Sequence, residues 1–175
     1  MSVTVRSASR ADAAAILAVY TPYILETPIT FEEAVPSVEH FAERVAPSPL
    51  HPWFVAERDG AVLGYAYAAP FNYRPAYRWS VETTVYIARE HHRQGIGAML
   101  YRRLIADLEA LGYVNAVALI TASNTGSIAM HERLGFAEVG RWPRIGFRLG
   151  AWQDVVILQR SLAPHRIPPP EIAQP

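Results

Sequence analysis

Apolar and polar positions follow two different periods along this chain, and the switches between them outline its elements. Residues 3–6 alternate and predict a short strand. Over residues 12–20, Ala13, Ile16, Leu17 and Tyr20 recur at helical spacing, predicting a helix that Pro22 stops. A loop rich in Thr and Pro follows, then a second helix capped by Ser37 and ended before Pro47. Residues 53–57 and 61–69 read as strands, and Arg58-Asp59-Gly60 between them is a hairpin signal. Residues 70–79 form a connector rich in aromatics and arginine. Residues 81–87 (VETTVYI) alternate again. The strand period puts Glu82, Thr84 and Tyr86 on one face and Val81, Thr83, Val85 and Ile87 on the other.

The next segment turns helical to about Leu111, with Ile96, Met99, Leu100, Leu104, Leu108 and Leu111 on one stripe. Residues 116–121 read as a buried strand, and residues 124–134 as a short helix ended by Gly135. Two further strands are expected, within residues 138–148 and at 152–159. The Pro-rich tail, residues 163–175, is expected to be extended or mobile. Helices between and after central strands predict one domain over residues 1–162, of α+β or mixed α/β class, with a sheet of mixed strand direction.

Composition narrows the chemistry. The formal charge is zero, so no basic excess points to nucleic acid or an anionic membrane as a partner. No apolar run approaches the ~20 residues of a membrane span, and the first residues do not read as a signal peptide; a cytoplasmic protein is expected. There is no cysteine, which removes disulfides, thiolate nucleophiles and cysteine-ligated zinc. All 16 basic residues are arginine, which removes the P-loop lysine, a kinase-type lysine and a Schiff-base lysine. No metal is expected either. His91 and His92 are adjacent and would point apart, and the HERLG segment is not the H-E-x-x-H of zinc enzymes.

What remains is concentrated in residues 81–100, VETTVYIAREHHRQGIGAML. An apolar strand carries one carboxylate, Glu82, and runs into a turn with Gly95 and Gly97 that opens a helix. Helix N-termini carry unpaired N–H groups and partial positive charge, and glycine lets a phosphate come close. The turn is not a dinucleotide fingerprint, because Leu100 stands where the third glycine would be. Glu82 is the candidate general base, since burial in an apolar strand raises a carboxylate's pKa; the alternative is a strand-edge carboxylate paired with Arg74 or Arg78.

Two motifs, His92 to Ala98 (HRQGIGA) and Asn124 to Phe136 (NTGSIAMHERLGF), about thirty residues apart, resemble the GNAT superfamily of acyl-CoA-dependent N-acetyltransferases. Within it, RPAYRWSVETTVYI, MHERLGF and WQDVVILQR resemble the branch that acetylates phosphinothricin or methionine sulfoximine. The resemblance implies a mostly antiparallel sheet flanked by helices and splayed between residues 81–87 and 116–121. It implies acetyl-CoA as acyl donor, a small amino acid or analogue as acceptor, and a homodimer. On this chain, Val85, Tyr86 and Ile87 would face the thioester arm. Arg93, Gln94, Gly95, Ile96, Gly97 and Ala98 would hold the diphosphate, and Asn124 would touch the cofactor near its reactive end. His92 departs from the usual Arg or Gln. His131 stands where many members have a tyrosine that reprotonates the thiolate. Arg74 and Tyr77 would bind the substrate carboxylate, and Phe31 and Glu32 would close over it. The rivals are another amine or a protein N-terminus as acceptor, and a domain that binds acyl-CoA without turnover.

Overall fold

The computed structural model describes residues 2–46 and 48–172. Seven strands form one sheet in the order β1-β2-β3-β4-β5-β7-β6. They are β1 (Thr4–Ser7), β2 (Trp53–Arg58), β3 (Ala61–Pro70), β4 (Ser80–Ile87), β5 (Asn115–Thr121), β6 (Ala137–Arg148) and β7 (Ala151–Ser161). Helices α1 (Ala13–Glu26) and α2 (Val38–Arg44) cover one face; α3 (Ile96–Ala110) covers the other, and α4 (Thr125–Arg133) follows β5. Every neighbouring pair is antiparallel except β4 and β5. This is the mixed, mostly antiparallel sheet expected above.

The hairpin forms as its turn residues require. Asp59 and Gly60 both take positive φ, 54° and 81°, the twist that joins two strands tightly. The burial pattern of β4 follows its alternation. Tyr86 packs with Tyr20 and Tyr65 under α1, while Val85 and Ile87 join the core under α3. Leu100, Leu104 and Leu108 of α3 are fully buried, as the stripe predicts. Met99 is exposed instead, and Tyr101 and Ile105 take its place inward, because α3 is buried on two sides by different clusters.

Pro22 does not stop α1, which continues to Glu26. Proline removes one N–H and crowds the carbonyl four residues back, but Tyr20, Tyr23 and Ile24 bury their side chains on either side of it and hold the turn. Thr21 Oγ1 donates to the Leu17 carbonyl (2.8 Å), and Arg89 Nη2 donates to the Pro22 carbonyl (3.1 Å). The described part of the tail is docked rather than free: Trp79 Nε1 donates to the Pro170 carbonyl (2.7 Å), and Ile172 packs against the α3 core. Residues 173–175 lie outside the described residues.

Candidate active site

The one parallel pairing in the sheet is also its weakest seam. β4 and β5 pair only at Ser80–Asn115, Val81–Ala116 and Glu82–Val117, then diverge. Two bonds set the phase of the neighbouring β3–β4 ladder: Phe71 N–H donates to Ser80 O and Ala88 N–H to Leu63 O. In an antiparallel ladder alternate residues exchange bonds, so the even-numbered residues of β4 serve β3. Val85 and Ile87 turn their N–H groups toward the side of the departing β5, where Val85 borders a narrow crevice. Tyr86, expected to share this duty, faces β3 with its backbone and lends its ring to an aromatic cluster with Tyr20 (4.7 Å) and Tyr23 (5.0 Å). The Ile87 carbonyl is already taken, accepting the Tyr23 hydroxyl (2.5 Å) with His92 Nε2 close by (3.1 Å). His92, the departure from the usual residue, thus belongs to the wall of the fork.

The crevice, about 40 Å³, is bordered by Val85, Asn124, Thr121, Tyr101 and His131, with Ile29 above it. Asn124 caps α4, its side chain accepting the Ser127 N–H (3.3 Å). His131 is almost fully buried, and both of its nitrogens are engaged. Nδ1 lies 2.8 Å from the Ser127 carbonyl, which accepts only, so Nδ1 carries the hydrogen. Nε2, 2.7 Å from the Tyr101 hydroxyl, then accepts it. Burial pushes the His131 pKa down, which keeps this neutral form. The Tyr101 oxygen also lies 3.1 Å from Thr83 Oγ1; with the Tyr101 hydrogen directed to His131, Thr83 shares its one hydrogen between this oxygen and the Val117 carbonyl (3.1 Å). Side chains therefore hold the strands at the point where the ladder ends. The His131 expected to reprotonate a thiolate has both ring nitrogens engaged, one by the Ser127 carbonyl and one by the Tyr101 hydroxyl.

At the other end of β4 a turn leads into α3. Gly95 caps the helix at φ 79°, a conformation that side chains strain against, and Arg93 also has positive φ. Among the described residues the N–H groups of Gly95, Ile96, Gly97 and Ala98 have no acceptor; the first bond of the helix is Met99 N–H to Gly95 O. Gly97 touches α4: a Cβ there would stand 2.8 Å from Met130 Sδ. The two sequence motifs are thus packed together, with free amides along one side. Amides and helix dipole make an anion seat.

Glu82 lies at the fork, half-buried, and burial pushes its pKa above the ordinary carboxylate range. Among the described residues it makes no ion pair, so the alternative pairing with Arg74 or Arg78 does not occur. Arg78 instead covers the Trp79 ring (4.1 Å). Arg74 and Tyr77 stand exposed on the connector between β3 and β4, outside both cavities. The Phe31 ring packs against Gly146 of β6, where an added Cβ would meet it. Glu32 forms an ion pair with Arg44. Their loop is tied down just before them, Tyr20 to Thr30 (2.5 Å) and Thr121 Oγ1 to the Pro28 carbonyl (2.9 Å). It passes between the crevice and a second cavity of about 290 Å³ under α1 and α2. Sequence reasoning missed Tyr101 and Thr83 as site residues, and that larger cavity altogether.

Residues 5–157 match the acetyltransferase (GNAT) domain family. The chain belongs to the GNAT acetyltransferase family. It is 37% identical over 166 residues to the phosphinothricin N-acetyltransferase of Streptomyces viridochromogenes, covering 91% of this chain and 87% of that one. It is 31% identical over 168 residues to the L-methionine sulfoximine/L-methionine sulfone acetyltransferase of Salmonella typhimurium, covering 95% and 98%. The crystal structure of a GNAT phosphinothricin acetyltransferase from Sinorhizobium meliloti with acetyl-CoA superposes with a TM-score of 0.86 at 37% identity, covering 92% of this chain and 89% of that one. The forked sheet is therefore a GNAT sheet. Among the described residues, no helix of this GNAT protein is long and apolar enough to cross a membrane, and no group of three or more His, Asp or Glu side chains could hold a metal.

Proposed function

We propose that this GNAT protein transfers the acetyl group of acetyl-CoA directly to the α-amine of a small amino acid or analogue of the phosphinothricin or methionine sulfoximine kind. The observation that carries the reading is the fork beside Glu82: free N–H groups on Val85 and Ile87 on one side, free helix amides on the other, and an unpaired, half-buried carboxylate at the junction. The amides of residues 93–98 would hold the diphosphate, with Arg93 and Gln94 beside it. The Val85 N–H would polarise the thioester carbonyl, where charge develops as the amine attacks. Asn124, capping α4 across the crevice, would touch the same arm.

An α-ammonium group must lose a proton before it attacks. Glu82 takes that proton, through a water, and its raised pKa brings it toward the useful range. The C–S bond then breaks, the amine's second proton passes to the departing thiolate, and the thiol leaves by the crevice bordered by Tyr101, His131 and Thr83. Arg74, with Tyr77 beside it, anchors the substrate carboxylate as a two-pronged donor, and the Phe31–Glu32 loop covers the bound amino acid. The acceptor is an α-amino acid because the connector offers arginine rather than acidic side chains.

We infer further that the chain folds as one domain over residues 1–162, works in the cytoplasm and forms a homodimer, with small molecules rather than nucleic acid or membrane as its partners. Val139, Ile145, Phe147 and Trp152 support the dimer, because they leave an apolar surface exposed on β6 and β7. The test compares thiol release with phosphinothricin, methionine sulfoximine and their decarboxylated amines. Turnover only with the carboxylate-bearing amines is expected. Equal turnover without the carboxylate would remove Arg74 from the site.

A further inference from the structure

We propose that the cavity under α1 and α2 receives the side chain of the amino acid substrate, and that the Arg44–Glu32 pair at its rim selects an uncharged tip that both accepts and donates hydrogen bonds. This rests on the function proposed above and adds to it the class of side chain. The cavity, about 290 Å³, is floored by Trp53 of β2 and by Tyr65, Tyr67 and Ala69 of β3. These residues lie in register on one face of the sheet, Trp53 opposite Tyr67 and Ala69 opposite Glu82. Adjacent strands run roughly 4.8 Å apart with opposed side chains on the same face. An amine held at Glu82 therefore has its remaining substituents one strand-spacing from the cavity floor.

The walls dictate what enters. Trp53 and Tyr67 stack at 4.0 Å and 10°, a flat and rigid aromatic surface, and Phe41 and Tyr20 close the cavity from the helices. Such walls favour a methylene or thioether chain and offer a charge along its length no partner. The charged groups bordering the cavity are Glu32 and Arg44, joined to each other and each about a third exposed. His51, the one histidine on the rim, has its pKa pushed down by burial and adds no positive charge at neutral pH. An anionic tip would meet the Glu32 carboxylate together with the Arg44 guanidinium. A sulfoximine presents an oxygen to Arg44 and an N–H to Glu32, so it satisfies both. A sulfone satisfies only Arg44, and a phosphinate is opposed by Glu32.

The experiment measures kcat/KM for methionine sulfoximine, methionine sulfone and phosphinothricin at saturating acetyl-CoA, for the wild type, Glu32→Gln and Arg44→Met. The wild type should favour the sulfoximine over phosphinothricin by about tenfold or more, since a hydrogen bond to a charged group is of that order. Glu32→Gln should raise phosphinothricin relative to the sulfoximine by about tenfold, through KM rather than kcat. Arg44→Met should weaken all three and shrink the differences between them. Selectivity that stays the same in both variants while turnover persists would overturn the assignment of the cavity. If the wild type acetylates none of the three, the proposed function falls, and this inference with it.

Discussion

At the scale of single residues, Glu82 and Tyr101 carry different parts of the account. As the proposed base, Glu82 would have to be ionised, and its pKa is raised, so kcat/KM should fall as pH drops through a value above the ordinary carboxylate range. Glu82→Gln should remove that acidic limb and lower kcat by about 10²–10⁴. A pH–rate profile of the two proteins checks both points. Tyr101→Phe keeps the ring but breaks the links to His131 and Thr83 at the fork. It should raise the KM for acetyl-CoA by about tenfold while leaving the affinity for adenosine 3′,5′-bisphosphate, which lacks the thioester arm, unchanged. Equal weakening of both ligands would show that Tyr101 merely supports the fold. Glu82 was legible because it is the one acid in an apolar strand. Tyr101 was not, because its partners lie 18 and 30 residues away in sequence and meet it only in the folded chain.

At the scale of elements, the seams of the sheet decide stability. Gly64 of β3 faces β4 so closely that a Cβ would stand 2.8 Å from the Tyr86 carbonyl oxygen and 3.1 Å from Ile87 Cα. Backbone cannot yield as a flexible side chain can, so Gly64→Ala should destabilise by about 1–3 kcal/mol, measured by urea unfolding. The link between β1 and α1 is ionic. Arg6 grips Asp12 (2.7 Å) and Glu57 (2.8 Å) and holds the Asp12 pKa at about 2. A carboxylate pKa lowered by folding adds stability above its unfolded value, and that stability is lost as pH falls toward 2. With Arg6 partly exposed and screened, Asp12→Asn should cost about 1–2 kcal/mol at pH 6. The difference from wild type should narrow as the pH approaches 2. Elements with short-range signals, such as the Asp59-Gly60 hairpin and the Ser37 cap, were readable from sequence. The extension of α1 through Pro22 was not, because tertiary burial of Tyr23 and Ile24 overrides the local penalty.

At the scale of the whole molecule, the sequence carried the fold class and the fork through two motifs, and folding packs those motifs together at Gly97 and Met130. It carried less of the substrate side. Arg74 and Tyr77 suit a carboxylate by their chemistry alone and stand exposed, while the larger cavity is assembled from β2, β3, α1 and α2, whose contributions no local pattern links. The apolar surface of β6 and β7 makes a whole-molecule prediction. Sedimentation should give a dimer, and Trp152→Arg should shift it toward monomer. The most direct test of the central claim is a quantitative assay of N-acetyl product and free CoA with methionine sulfoximine as acceptor. Wild type should form the two in equal amounts over many turnovers, with Glu82→Gln slowed as above. Tight binding of acetyl-CoA with no N-acetylated amino acid formed would contradict it.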